Sequence, residues 1–227
     1  MLDRNRSGKV TSSDCYKIFE SATVQKTYLR DLKIGNLFKQ SDREKDVFNF
    51  KWGHLCEEYV FKSGRLEGFI NNNKEENPTI FNTENNFYCG TPDFYKIDDF
   101  GIVGDIKAPV TLSGFYNLIF PIVYGEKDGN KQIELIVNNS KEGKKYYYQL
   151  ISNAILLEEK FGVEFKKGIL SSYMPYAHEL KSIIEFAEDN FTEYYSPILS
   201  GTEKTLPCLL PSTDYENLGE YFVNDLY

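Results

Sequence analysis

Apolar residues recur along this chain in two rhythms, one suited to a helix and one to a strand. Over residues 47–63, Phe48, Trp52, Leu55, Tyr59 and Phe61 follow the 3.6-residue spacing of a buried helical face, and Gly64 supplies the stop. Apolar spacing of the same kind predicts a helix over 24–40, and another over 145–162 ended by Gly162. A further amphipathic helix is predicted over 175–195, introduced by Pro175 and acidic on its exposed side. A shorter one is expected near 13–19, capped by Ser12 or Ser13, with Cys15, Ile18 and Phe19 on one side. Strand rhythm governs TIFNT (79–83), NFYCGTPDFYKI (86–97) and GIVGDIKAP (101–109), with KIDDFG turning between the last two. VEFKKGILSSY (163–173) reads as a strand pair. NNNKEENP (71–78) is a loop, 110–125 is helix or irregular with a break at Pro121, and 125–145 is a charged insertion around a short apolar piece. Helices alternate with strands, so the class is α/β or α+β. Residues 1–200 are expected to form one domain, and 201–227 a tail that packs on it or serves assembly.

Charge narrows the function classes. The 26 basic and 34 acidic residues leave a formal net charge of −8, which argues against a protein that coats nucleic acid with its whole surface. A local basic channel remains open to it. Basic residues do bunch, at Arg4, Arg6 and Lys9, at Lys141, Lys144 and Lys145, and at Lys166 and Lys167, and each bunch alone reads as a solvated patch. Cys15, Cys56, Cys89 and Cys208 form no CxxC pair, so they are expected to be free thiols in a reducing cytosol. The start, MLDRNRSGK, lacks the apolar stretch of a secretion signal, and LIFPIVYG is too short to span a membrane, so a cytoplasmic location away from membranes is expected.

The chemistry concentrates in GTPDFYKIDDFGIVGDIKAP, residues 90–109. Alternation along a strand puts Asp105 and Lys107 on one face and Ile106 on the other. A hairpin turning near 98–101 brings Asp93 beside Asp105. Two neighbouring carboxylates repel unless a cation lies between them, and hard oxygen donors suit Mg²⁺ or Mn²⁺. The Ile106 carbonyl could add a further oxygen. Lys107, beside a bound water, would position it, take its proton or offset phosphate charge. Metal-assisted hydrolysis of a phosphodiester is the reaction class that follows. On these residues alone, a hairpin with an exposed ion pair is the competing reading.

Four blocks, in order, resemble those of the PD-(D/E)xK nuclease superfamily, and within it the phage-lambda-type recombination exonucleases. RSGKVTSSD (6–14) resembles the family's opening block, and WGHLCEEYVFKSG (52–64) its Glu-bearing helix. TPDFY…GDIKAPVT resembles its metal motif, and YYYQLISNA (146–154) its Gln-bearing helix. The resemblance implies a restriction-endonuclease-like core, a central mixed β-sheet flanked by helices. It implies Glu57, Asp93, Asp105 and the Ile106 carbonyl as metal ligands, Lys107 as the catalytic lysine and Gln149 as a support to the site. Arg6, Ser13 and Thr91, with Gln149, match positions that hold a 5′-terminal phosphate. Without the resemblance, Glu57 reads as part of a solvated helix face and Ser13 as a helix cap. Asp105 stands where the group more often has Glu, and QLISNA offers Ser152 and Asn153 where a second Gln is common. The resemblance further implies a Mg²⁺-dependent 5′→3′ exonuclease on linear double-stranded DNA, a homotrimeric ring around the duplex, and a single-strand annealing protein as partner. The alternatives are an endonuclease of the same superfamily and an inactive DNA-binding scaffold. His54 and His178 are not spaced as a metal pair, Trp52 reads as core, and Tyr146–Tyr148 read mostly as packing.

Overall fold

The computed structural model describes residues 6, 8–38, 47–111, 113–114, 141–175, 179, 182–183, 185–186 and 220–223, without side chains at 36–38, 47–51 and 220–223. The predicted segments 115–140 and 187–195, with His178, lie outside the described residues.

Five strands form the central sheet: β2 (Ile70–Asn71), β5 (Phe94–Ile97), β6 (Gly101–Lys107), β7 (Phe165–Ser172) and β8 (Glu220–Val223). They lie in the order β2-β5-β6-β7-β8. All neighbours are antiparallel except β6 and β7, which run parallel. A parallel pair needs a crossover, and the helix α3 (Lys141–Phe161) lies in the connection. A smaller sheet joins β1 (Val10–Thr11), β4 (Tyr88–Gly90) and β3 (Ile80–Phe81). Two more helices, α1 (Ala22–Phe38) and α2 (Val47–Lys62), complete the described elements needed here.

Strand alternation sorts the core into two layers. On one face, Phe94, Ile106 and Ile169 pack with Trp52, Leu55, Cys56 and Val60 of α2. On the other, Tyr95, Val103 and Leu170 pack with Leu150, Ala154 and Leu157 of α3. The central sheet is therefore covered on both faces, which explains why consecutive residues rather than alternate ones are buried, 103–106 in β6 and 168–172 in β7. The three described cysteines, Cys15, Cys56 and Cys89, are buried and form no disulfide among the described residues; Cys56 lies in the α2 layer and Cys15 in a separate cluster with Val10, Tyr28 and Leu32.

Several sequence expectations change. The run 86–97 is two strands in different sheets, because Pro92 has no N–H to give to a ladder and the chain breaks at Thr91–Asp93. Residues 163–173 hold one strand, β7; Gly168, which suggests a turn, pairs with Val103 inside the ladder. The expected helix at 13–19 is a 3-10 turn, Cys15–Phe19, with Asp14 at its N-cap and no side-chain cap bond. Ser12 and Ser13 do not cap it. Cys15 is buried there, but Ile18 and Phe19 are exposed. α3 begins at Lys141, inside the segment read as a charged insertion, and Lys144 pairs with Glu20 at 2.8 Å.

Candidate active site

The chain crosses from the small sheet to the central one through Thr91, Pro92 and Asp93. Asp93 stands one residue before β5 begins, and its backbone N–H still bonds the Gly104 carbonyl at 3.2 Å. Its side chain continues the strand edge: Oδ2 accepts the Ile106 N–H at 2.6 Å. Backbone groups alternate sides along a strand. The Gly104 carbonyl faces β5, and the Lys107 carbonyl faces β7, where it accepts the Tyr173 N–H at 2.8 Å. The Ile106 carbonyl therefore turns toward the β5 side, past the point where β5 has begun pairing, beside the Asp93 carboxyl.

Asp105 is 1% exposed. Its Oδ1 accepts from Gln149 Nε2 of α3 at 2.7 Å. Its Oδ2, also buried, is ion-paired with the Lys107 ammonium. Asp105 and Lys107 share a face because they are two apart on β6, and Gln149 reaches them because α3 covers that face. Tyr146, one turn before Gln149, lies with its ring centroid 5.1 Å from Lys107 Nζ.

The field at the site is strongly acidic. Burial pushes the Asp93 carboxyl well above the usual range, and the charges of Asp105 and Glu57 push it further, against Lys107 and the Ile106 N–H. Burial alone would lower the Lys107 amine, but Asp105 and then Asp93 outweigh it and raise the amine above its ordinary value. Lys107 so placed is an ammonium donor.

Glu57 approaches from α2, on the opposite side of the sheet. Its carboxyl is partly exposed and lies 3.6 Å from His54 Nδ1, and that contact raises the His54 pKa. Among the described residues no group of three or more His, Cys, Asp or Glu side chains is gathered into a ready ion cage. The neighbouring Glu58 is the more buried of the two and pairs with Lys74 at 2.6 Å. Thr91 Oγ1 lies 3.1 Å from Thr79 Oγ1, and Ser13 Oγ 3.1 Å from Thr11 Oγ1. Arg6 is partly buried, and no described contact brings its side chain to Asp93 or Asp105.

Three further side chains, His54, Tyr146 and Ser172, adjoin these groups. His54 is spaced i,i+3 from Glu57 and Tyr146 i,i+3 from Gln149, and both spacings were readable. Ser172 was not readable, since only the parallel β6–β7 register sets it beside Lys107. Its hydroxyl is buried without a hydrogen-bond partner among the described residues.

The donors fit a hard divalent cation. Two carboxylates and a backbone carbonyl converge on one strand edge, all are oxygen donors, and the Asp93 carboxyl is pushed up by its acidic neighbours, the repulsion a cation would relieve.

No protein-family profile and no curated protein matches the chain. Solved structures do. LHK-Exo, an alkaline exonuclease from Laribacter hongkongensis, in complex with dAMP, overlaps with a TM-score of 0.50 at 16% identity, covering 87% of this chain and 93% of that one. A second LHK-Exo structure gives 0.46 at 16% identity over 86% and 92%. A phage related exonuclease from Haemophilus somnus 129PT gives 0.46 at 15% identity over 87% and 99%. On the first of these overlaps the chain has the LHK-Exo fold, a restriction-endonuclease-like core whose central mixed β-sheet is flanked by helices.

Proposed function

We propose that this chain is a Mg²⁺-dependent exonuclease of the phage-lambda recombination type, degrading linear double-stranded DNA 5′→3′. The observation that carries the reading is the convergence of Asp93, Asp105, Lys107 and Gln149 at one strand crossing, on the fold of an alkaline exonuclease. Asp93, Asp105 and the Ile106 carbonyl would hold the ion, with Glu57 nearby. Mn²⁺ has the same ligand preference. When bound, an ion of this kind polarises the scissile phosphate and acidifies water. Lys107 contributes a positive donor for a phosphate oxygen or a water. Gln149 fixes the Asp105 carboxylate, and Tyr146 shields the ammonium from solvent on one side. Ser13, Thr91 and Arg6 are the groups proposed to receive a terminal phosphate, a site for directional anion recognition. The proposal extends to a homotrimeric ring and a single-strand annealing partner. Among the described residues no helix is long and apolar enough to cross a membrane.

The deciding assay compares linear duplexes with and without a 5′-phosphate, and a covalently closed circle, each with Mg²⁺ or with chelator. The expected result is Mg²⁺-dependent loss of the phosphorylated linear duplex and an intact circle. A circle cut as fast as the linear form would favour an endonuclease, and no Mg²⁺-stimulated cleavage at all would favour an inactive scaffold.

A pH dependence follows from Asp93. Its raised folded pKa means that the proton it carries stabilises the fold at low pH, and that this contribution is lost as pH rises through the folded value. An ion must displace that proton, so ion binding strengthens with pH. The gain in melting temperature from added Mg²⁺ is therefore expected to grow as pH is raised from the acid side through the folded Asp93 value, and a gain that shrinks with rising pH in a melting series would contradict the assignment.

A further inference from the structure

We infer that Asn72 is a positioning residue for Asp93, an inference that rests on the function proposed above. Asn72 opens the 3-10 turn Asn72–Lys74 directly after β2 and is fully buried. Its Nδ2 donates to the Pro78 carbonyl at 2.8 Å and to the Pro92 carbonyl at 2.8 Å. Its backbone N–H donates to the Asp93 carbonyl at 3.0 Å. One residue thus holds both carbonyls flanking the Pro92–Asp93 linkage, while the Asp93 N–H is held from the other side by Gly104.

This is the point where the chain leaves one sheet for the other: β4 ends at Gly90 and β5 begins at Phe94, so Thr91, Pro92 and Asp93 lie between the two strands. Pro92 is buried and brings a carbonyl but no N–H, so its carbonyl is the one main-chain group it has to satisfy, and the donor here is the Asn72 amide. Two carbonyl oxygens as neighbours accept only the NH₂ edge of the amide, which fixes its orientation. The Oδ1 edge is buried and without a partner among the described residues, so the amide is retained there for its donors. Because the Asp93 carboxyl reaches Ile106 from a fixed backbone, releasing Asn72 lets that carboxyl drift from Asp105. The second partners of metal ligands commonly matter roughly 10–100-fold in metal affinity or activity.

The test measures Mg²⁺ binding by calorimetry and steady-state cleavage for the unmodified protein, Asn72→Ala, Asn72→Ser and Asn71→Ala. Asn71 is the control: its Oδ1 accepts the Asn73 N–H in the same turn, and no bond of its side chain reaches the 91–93 crossing. Expected are Mg²⁺ binding weakened about tenfold and kcat lowered roughly 10–100-fold in Asn72→Ala, with KM for DNA within about twofold. Asn71→Ala should lower the melting temperature without moving either. Asn72→Ser carries the same expectation should the alanine variant not fold. Folded variants at position 72 that bind Mg²⁺ and turn over like the unmodified protein would overturn the positioning role alone. An unmodified protein that neither binds Mg²⁺ nor cleaves would overturn the function it rests on, and this role with it.

Discussion

Replacing Asp105 is expected to lower DNA cleavage by roughly 10³-fold or more, whichever residue takes its place. The loss has two sources. Ion-based charge stabilisation is worth several kcal/mol, and each 1.4 kcal/mol or so is tenfold in rate. The second source is local. Asp105 meets a donor on each oxygen, Gln149 on Oδ1 and Lys107 on Oδ2. Asp105→Asn therefore sets its NH₂ against one donor or the other, and shape alone does not rescue it. Asp105→Ala removes both contacts and leaves the Lys107 ammonium unneutralised. Losing one partner of a fully buried pair costs about 3–5 kcal/mol, but Lys107 is 23% exposed and can turn to water, so about 1–3 kcal/mol is expected. Adding Lys107→Ala to Asp105→Ala should return part of that stability and none of the activity. Steady-state cleavage and denaturant unfolding of the three variants check this together. Near-normal cleavage by either single variant would remove Asp105 from the site.

Gly104→Ala is expected to be the most damaging single methyl in the described core. Gly104 is the register partner of Phe94, and a Cβ on it would fall inside the Phe94 ring. The ring cannot step aside, because Phe61 and Phe69 pack edge-on against it at 6.2 and 5.2 Å and it is fully buried. Overpacking of this kind costs about 1–3 kcal/mol and occasionally more, and the rigid surround places this position at the upper end. For a chain of this size that is roughly 6–12 °C in melting temperature. The effect reaches the site because the same β5–β6 pairing holds Asp93 against Ile106. Phe94→Leu in the Gly104→Ala background should recover part of the loss, since the two share one space. Additive losses in thermal or denaturant unfolding would show that the clash is not the cause.

Local chemistry in this protein was readable wherever one element carried it. The α2 face is an example: Trp52 and Leu55 lie in the core as their spacing requires, although Val60 and Cys56 complete the face and Tyr59 and Phe61 are only partly buried. The β5–β6 hairpin was readable from its turn residues, and with it the approach of Asp93 to Asp105. Long-range pairing was not. Nothing in FKKGILSS tells that it lies parallel to β6, so Gly168 looks like a turn and Ser172 like an ordinary strand residue. Two-residue strands such as β1 and β2 are too short to show alternation. Pro92 did carry a signal, since a proline excludes a central ladder position, and it marks the crossing on which the site depends. Asn72 lay in a stretch whose three asparagines read as loop, because burial that comes from tertiary packing leaves no trace in composition.

The proposed function requires the carboxyls of Asp93 and Asp105 to hold one divalent ion at the strand crossing. Anomalous diffraction from crystals soaked in Mn²⁺ tests it most directly. A single strong peak between Asp93 and Asp105, in reach of the Ile106 carbonyl, is expected, and its disappearance in Asp105→Ala. Mn²⁺ found only at other surface carboxylates, with none between these two, would contradict it.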